Sequence, residues 1–200
     1  MRDIFIVRHG NTFASGEAAR RVGARTDIAL VDSGRAQAAR LGVWFAAQNV
    51  AIDRLLSSPL IRARETAQAI GQACGHGPDG TCDWLGEIDH GPDENRVEAD
   101  VVARIGAQAI ADWDERGIAP DGWIVDADAR IAAWRAFFDE QRPGADVLVT
   151  SNGAARFALL AAGLAGGVAH GPLKLRTGAF GQLQVTGDGA VSLVGWDVRP

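Results

Sequence analysis

The chain has 200 residues, of which 47% are hydrophobic and 22% are charged, and its formal net charge at pH 7 is −5. This length and composition predict one folded domain with a sizeable core, and they exclude a disordered, collagen-like or coiled-coil protein. The negative charge, without any run of basic residues, argues against nucleic acid as a partner. No apolar stretch approaches the roughly 20 residues that cross a membrane.

Residues 1–7 lack the apolar region of a secretory signal, so we expect a cytoplasmic protein with no membrane partner. Two cysteines, Cys74 and Cys82, are too few for a disulfide framework, and without further ligands they do not make a zinc site. Lys174 is the only lysine, so an anion site in this chain would be built from arginines, whose guanidinium groups bind phosphate oxygens in pairs. The sequence gives no sign of a metal site.

Apolar runs and amphipathic segments alternate along the chain. The runs predict buried strands at residues 4–7, 54–58, 82–85 and 146–151, and a hairpin over residues 180–196. Apolar residues at helical spacing predict helices over residues 33–48, 59–74, 97–117, 126–138 and 154–164. The alternation predicts an α/β fold, a three-layer α/β/α sandwich around a mostly parallel central sheet. We predict a single domain over residues 1–200, with residues 86–126 as a helical, cap-like insertion.

Polar clusters follow three of the predicted strands, at residues 8–12, at residues 57–58 with Arg62, and at residues 150–153. In an open parallel sheet the carboxyl ends of the strands meet at one edge, where ligands bind. Two arginines, His9, several hydroxyl groups and helix N-termini at that edge suit a phosphate. Residue types alone leave other interpretations open, because His9 can be a buried structural histidine and Arg62 a solvent-exposed helix residue.

Three segments, in order along the chain, resemble one known family. They are V-R-H-G-N-T at residues 7–12, T-D-I-A-L with S-G-R-A-Q-A within residues 26–38, and S-S-P-L-I-R-A-R-E-T-A at residues 57–67. Together they resemble the histidine phosphatase superfamily, which includes cofactor-dependent phosphoglycerate mutase. The resemblance is close through residue 91 and thinner beyond it. It implies a phosphoglycerate mutase-like fold and phosphoryl transfer through a phosphohistidine, without a metal ion and, for a phosphatase, without a cofactor.

The resemblance also implies roles for individual residues. His9 matches the nucleophile that becomes phosphohistidine, and Arg8 and Arg62 match the two arginines that clamp the phosphate. Glu87 matches the carboxylic acid that protonates the leaving oxygen, and Asp89 is the rival for this role. Because a carboxyl group beside an anion retains its proton more readily, an acid at this place is chemically reasonable. Further predicted substrate contacts are Asn11, Thr12, Ser57, Asn152 and Gly153.

One position departs from the family pattern. Members usually carry a second histidine after the valine-rich strand, in a V-x-H-G pattern, and here Asn152 occupies that place. An amide can donate a hydrogen bond to a phosphoryl oxygen, but it brings no positive charge. Losing a charge-assisted contact in the transition state costs about 2–4 kcal/mol, or roughly 30- to 1000-fold in rate. Asn152 also fits a helix N-cap, and His90 and His170 are candidates to replace the missing histidine.

These features predict a metal-independent phosphomonoester phosphatase that acts through phosphohistidine on a small phosphorylated metabolite. Two alternatives stay open: a phosphoglycerate mutase-type phosphoryl transferase, which needs a bisphosphate for priming, and a catalytically impaired protein that binds phosphate-containing ligands. The expected partner is a small phosphorylated substrate or inorganic phosphate. Arg20, Arg21 and Arg25 follow the nucleophile and are candidates to bind a second anionic group, although each alone fits a solvated loop more simply. No motif identifies the substrate or the oligomeric state.

Overall fold

A six-stranded sheet lies at the centre of the computed structural model, which describes residues 1–140, 142–165 and 173–200. Its strands are β1 (Arg2–Arg8), β2 (Ile52–Ser57), β3 (Gly80–Thr81), β4 (Gly144–Thr150), β5 (Phe180–Val185) and β6 (Val191–Val198). They lie in the order β3-β2-β4-β1-β5-β6. The first four are parallel, whereas β5 is antiparallel to both of its neighbours. The prediction of a mostly parallel sheet is therefore confirmed.

Helices cover both faces of this sheet. They are α1 (Asp32–Ala47), α2 (Ile61–Cys74), α3 (Glu98–Ile105), α4 (Ala107–Arg116), α5 (Ala127–Phe138) and α6 (Asn152–Ala161). Helices α1 and α2 pack together on one face, and α5 and α6 pack together on the other. None of the helices in the described part of the chain is long and apolar enough to cross a membrane. The three-layer α/β/α sandwich predicted from the sequence is confirmed.

The run of apolar residues in β1 follows from burial on both faces. Side chains alternate along a strand, so Ile4 and Ile6 join the core under α5 and α6, whereas Phe5 and Val7 join the core under α1 and α2. All four residues are almost completely buried. This packing fixes the strand in register, and it places the first residues after Val7 at the carboxyl edge of the sheet.

Two predicted elements are wrong in detail. The strand predicted at residues 82–85 is shorter and earlier, at β3, and residues 83–85 form a 3-10 turn instead. The apolar side chains of this turn still pack against the protein interior. Leu85 enters the core, and Trp84 packs edge-on against Trp134 with ring centroids 4.9 Å apart. The helix predicted over residues 97–117 is broken into α3 and α4 at Gly106, whose φ of +83° favours glycine.

Candidate active site

The carboxyl edge of the sheet opens into a cavity of about 700 Å³. Chain segments that follow β1 and β4 meet there, since the two strands pair in parallel and the His9 N–H donates to the Thr150 carbonyl at 3.0 Å. The cavity is lined by the five residues predicted to act in catalysis, Arg8, His9, Arg62, Glu87 and Asn152. The predicted substrate contacts Asn11, Thr12 and Gly153 line the same cavity.

His9 is held with one ring nitrogen towards the protein and the other towards Arg62. Its Nδ1 lies 2.8 Å from the Gly10 carbonyl oxygen, which can only accept, so in the neutral ring Nδ1 carries the proton. Nε2 then has a free electron pair, and it accepts a hydrogen bond from Arg62 Nε at 3.2 Å. Burial and the charges of Arg62 and Arg8 hold the pKa of His9 well below 6.5. The ring is therefore neutral at physiological pH, with an unprotonated Nε2 inside the cavity.

Arg62 is 1% exposed, and backbone oxygens fix its position. Its Nη1 donates to the Thr26 carbonyl at 2.8 Å, and its Nη2 donates to the Gly23 carbonyl at 3.2 Å. Burial lowers the pKa of Arg62 below its usual value, although the charge of Glu87 opposes this effect. The alternative interpretation, a solvent-exposed helix arginine, is therefore wrong. The guanidinium group is anchored by neutral acceptors and keeps its positive charge.

Arg8 is anchored in the same manner. Its Nη1 donates to the Leu175 carbonyl at 2.6 Å, and its Nε has no hydrogen-bond partner among the described residues. Burial lowers the pKa of Arg8 to about 10, against the attraction of Glu87 and together with the repulsion of Arg62. The side chain thus remains charged at neutral pH. Within the described part of the chain, neither Arg8 nor Arg62 forms an ion pair.

Glu87 reaches the cavity from the loop after β3. It is 7% exposed, its Oε2 accepts the N–H of Gly153 at 3.0 Å, and its Oε1 accepts the N–H of Ile88 at 2.9 Å. Arg130 holds this loop by donating to the Gly86 carbonyl at 2.7 Å. The rival acid, Asp89, does not line the cavity and instead forms an ion pair with Arg25 at 3.0 Å. Of the two candidate acids, Glu87 is therefore the one that reaches the cavity.

Asn152 is the first residue of α6, and Ser151 precedes it as the N-cap, so the N-cap interpretation of Asn152 is wrong. Its Oδ1 accepts the N–H of Leu175 at 2.9 Å. Because a backbone N–H can only donate, this contact fixes the amide orientation and leaves the NH₂ group as the donor. The Leu175 carbonyl also accepts the hydrogen bond from Arg8, so the backbone of this single residue holds both the Arg8 and the Asn152 side chains.

Other predicted contacts divide between the cavity and the rest of the fold. Arg20, Arg21 and His90 line the cavity, whereas the exposed Arg25 does not. Ser57 is also absent from the described lining residues, in contrast to the prediction. It ends β2 inside the sheet, 2% exposed, and its carbonyl accepts the N–H of Cys82 at 2.8 Å. His170 lies outside the described residues.

The groups that hold the candidate catalytic side chains were not predicted from the sequence. These groups are the backbone carbonyls of Gly10, Gly23, Thr26 and Leu175, and the carboxylate of Glu94 beside Gly23. Every residue type except proline has the same backbone groups, so no residue type signals a carbonyl acceptor. Among the described residues, no group of three or more His, Cys, Asp and Glu side chains is arranged to hold a metal ion.

The sequence resembles known proteins over most of its length. A sequence model of the Histidine phosphatase superfamily (branch 1) matches residues 4–197. A curated relative named "Probable phosphoglycerate mutase GpmB", from Salmonella arizonae, is 32% identical over 159 residues, which are 78% of this chain and 71% of that protein. The Salmonella typhi protein of the same name is 38% identical over 97 residues, 48% of this chain. That match covers 42% of the relative's own length, and the matches to two further proteins of the same name each cover 33% of theirs.

Solved structures share the fold at lower sequence identity. The mycobacterial glucosyl-3-phosphoglycerate phosphatase superimposes with a TM-score of 0.80 at 22% identity, over 100% of both chains. The α-ribazole phosphatase from Shigella flexneri gives a TM-score of 0.74 at 22% identity, over 98% of this chain and 96% of that one. The mycobacterial phosphatase has also been solved with inorganic phosphate and with VO3.

Proposed function

The chain belongs to the histidine phosphatase superfamily, and we propose that it is a metal-independent phosphomonoester phosphatase acting through a phosphohistidine on His9. The observation that carries the proposal is the state of His9. Its Nδ1–H is bonded to the Gly10 carbonyl, its pKa is lowered by burial, and its Nε2 faces Arg62 in the cavity. A neutral imidazole with a free Nε2 is the form that can attack phosphorus.

In the first step, the electron pair of His9 Nε2 forms a bond to phosphorus, and the bond from phosphorus to the leaving oxygen breaks. Arg62 and Arg8 donate to the equatorial phosphoryl oxygens, whose charge they stabilise. In the free protein Arg62 Nε donates to the attacking nitrogen at 3.2 Å, so this bond is exchanged for one to the phosphoryl group. The Glu87 carboxyl group gives its proton to the leaving oxygen.

In the second step, water attacks the phosphohistidine and the bond from phosphorus to Nε2 breaks. The Glu87 carboxylate, which lost its proton in the first step, accepts a proton from the water. Inorganic phosphate leaves, and Glu87 is again protonated for the next turnover. The Gly153 N–H at the start of α6 fixes the carboxylate for both proton transfers.

Asn152 serves as a neutral fourth contact to the phosphoryl group. Its oxygen is used by Leu175, so its NH₂ group is the end available to donate. The proposed site therefore has two charged donors and a neutral one. We expect lower turnover than a site with a second histidine at this position would give.

Residues 86–126 contribute Glu87, His90, Glu98 and Trp113 to the lining of the cavity. We interpret this segment as a cap over the phosphate-binding edge. The phosphoryl group would lie at Arg8, His9 and Arg62, and the rest of a small phosphorylated metabolite would contact the cap. The same single domain would thus carry both the reacting groups and the groups that select the substrate.

Two other functions have an observation in their favour. The curated relatives are named phosphoglycerate mutases, which favours a mutase that needs a bisphosphate for priming. The neutral amide of Asn152 favours a protein that binds phosphate-containing ligands with little or no turnover. A phosphatase needs only the residues already assigned, so it is the simplest of the three.

A panel of phosphorylated metabolites, assayed with EDTA on the wild type and on His9→Ala, tests the proposal. We expect inorganic phosphate release from at least one phosphomonoester, unaffected by EDTA, and a loss of at least ~10⁴-fold in His9→Ala because the nucleophile is removed. Turnover only after priming by a bisphosphate would establish the mutase. Binding of phosphate without any turnover would establish the binding protein.

A further inference from the structure

The loop of residues 23–26 is bonded on two sides, to Arg62 on one and to Glu94 on the other. The carbonyls of Gly23 and Thr26 accept hydrogen bonds from Arg62. The Gly23 N–H and the Thr26 hydroxyl donate to Glu94 Oε1, at 2.9 and 2.6 Å. The two residues that hold the guanidinium group are therefore themselves held by one carboxylate.

Glu94 is built into this position. Its side chain is 7% exposed, and its Oε2 accepts the N–H of His90 at 3.2 Å. Although burial raises the pKa of Glu94, contacts with His90, Thr26 and Gly23 lower it to about 2. The group is thus a carboxylate at neutral pH, and both of its oxygens accept hydrogen bonds from the protein.

The backbone of the loop lies directly against Glu94. A Cβ atom at Gly23 would lie 2.3 Å from Glu94 Oε2 and 2.5 Å from the Ile88 carbonyl oxygen. Only glycine fits at such distances, so the loop and the Glu94 carboxylate can approach this closely only because residue 23 has no side chain. Because the contact runs through the loop, Glu94 fixes Arg62 without forming an ion pair with it.

We propose that Glu94 is a positioning residue, which holds residues 23–26 so that the Arg62 guanidinium group is presented to the phosphoryl group with its donors and charge available. This inference rests on the proposed function. Glu94 is not among the described residues that line the cavity, so its effect would reach the reacting atoms through Gly23, Thr26 and Arg62. Loss of its carboxylate should loosen the Arg62 anchor and weaken the binding of a phosphoryl group.

The adjacent Asp93 offers a matched control for Glu94. It is also buried and also charged, with a pKa lowered by Arg104 and Trp123 against the effect of burial. Its partners are Arg104 Nε at 2.6 Å and Trp123 Nε1 at 2.7 Å, so it stabilises the cap-like segment and not the Arg62 loop. Asp93→Asn and Glu94→Gln each remove one buried carboxylate at adjacent positions. The first carboxylate holds Arg104 and Trp123, and the second holds the loop of residues 23–26.

The test measures three quantities for wild type, Glu94→Gln and Asp93→Asn, well below the melting temperature of each. They are the Kd of inorganic phosphate by calorimetry, and kcat and KM for p-nitrophenyl phosphate. We expect both variants to melt at lower temperature. In Glu94→Gln we also expect Kd and KM to rise about tenfold and kcat to fall, since a loosened arginine binds both ground state and transition state less well. Asp93→Asn should stay within about twofold of wild type in all three.

Two outcomes would overturn the inference: phosphate affinity within twofold of wild type in Glu94→Gln, or an equal loss of affinity in Asp93→Asn. If Glu94→Gln does not fold, Thr26→Val and Thr26→Ser replace it. Thr26→Val removes one donor to Glu94 and should weaken phosphate binding about threefold, whereas Thr26→Ser keeps the hydroxyl and should restore it. Equal affinity of these two variants would count against the inference.

The phosphate Kd separates this inference from the proposed function. A wild type that binds phosphate but turns over no phosphomonoester would contradict the phosphatase proposal, and the Kd of Glu94→Gln would still test the positioning role. A wild type that turns over while Glu94→Gln keeps its affinity would contradict only the positioning role. A wild type that neither binds nor turns over would contradict both.

Discussion

The two ends of the sheet each carry a cluster of arginines, and the clusters are stabilised in opposite ways. At the amino end, Arg2, Arg54 and Arg142 surround the buried Asp146 and the nearby Glu140. Arg2 Nε lies 2.6 Å from Asp146, and Arg54 lies 2.9 Å from Asp146 and 2.6 Å from Glu140. At the carboxyl end, Arg8 and Arg62 bond to backbone carbonyls.

The pKa values of the arginines express this difference. Burial lowers the pKa of Arg54, but the hydrogen bonds that Arg54 donates to Asp146 and Glu140 more than reverse the effect and raise the pKa above its usual value. Burial lowers the pKa of Arg62 below its usual value, and the charges of Glu87, Asp27 and Glu94 do not fully compensate. An arginine paired with carboxylates stabilises the fold, whereas one anchored by neutral carbonyls keeps a charge that an anion can neutralise. Arg8 and Arg62 combine the second arrangement with a place in the cavity lining, which fits the phosphate site that we propose.

The largest effect is expected when one arginine of each cluster is substituted and activity and stability are compared. Arg62→Gln should lower kcat/KM about 10²- to 10³-fold, because it removes a charged donor from the transition state. Its free energy of unfolding should fall by only about 1 kcal/mol, because removing a buried charge that has no ion-pair partner among the described residues offsets part of the two hydrogen bonds lost by Gly23 and Thr26. Arg2→Gln should lower the free energy of unfolding by about 3 kcal/mol, because Asp146 loses a buried partner.

Activity assays and denaturant unfolding on both variants check this expectation. Arg2→Gln should keep kcat/KM within about threefold of wild type, because the amino end of the sheet is far from the cavity. If both variants lost activity and stability in parallel, the two clusters would not have separate roles.

The sequence could predict the parts of the fold and of the site that side chains encode. The apolar runs gave β1 and β4 to within two residues, and the polar residues after them marked the edge where Arg8, His9 and Asn152 meet. Parallel pairing then brings these residues together. The prediction depended on residue types and on the direction of the strands, and both are local properties of the sequence.

Other features depend on tertiary packing and leave no local pattern. The residues around Leu85 resemble a short strand in the sequence, yet Leu85 lies in a 3-10 turn and is buried there. Glu94 sits in a polar stretch without a recognisable motif, and only the folded loop shows that it holds Gly23 and Thr26. Leu175 contributes only its backbone.

A smaller effect is expected from adding a charge at the carboxyl end. Asn152→His should raise kcat/KM by up to about tenfold, because an imidazolium adds positive charge near the phosphoryl group. The gain should be largest at low pH and fade as pH rises, because only the protonated ring carries the charge. The Leu175 N–H, which now donates to Asn152 Oδ1, favours a neutral ring and restricts the gain to the acidic side.

A pH series of kcat/KM, measured beside the melting temperature, checks this expectation. A larger ring in this place can cost about 1–3 kcal/mol of stability. A variant that folds as stably as wild type but gains no activity at any pH would contradict the role assigned to position 152.

The smallest expected effect concerns His9 and the pH dependence of stability. The folded-state pKa of His9 lies well below its unfolded value of 6.5, so below pH 6.5 the unfolded state binds the proton and the folded state does not. The free energy of unfolding should therefore fall by about 1 kcal/mol as pH drops from 6.5 to 5.5. His9→Asn should show a flatter dependence in denaturant unfolding at several pH values. A dependence as steep as that of wild type would contradict the buried neutral state of His9.

The most direct test of the central claim is to trap the phosphorylated protein. The wild type is mixed with excess p-nitrophenyl phosphate, quenched in alkali, which preserves phosphohistidine, and analysed by intact mass and peptide mapping. We predict one phosphoryl group on His9, present in wild type and in Arg2→Gln, sharply reduced in Arg62→Gln and missing in His9→Asn. Steady turnover with no phosphoryl group on His9, or with the group on another residue, would contradict the account.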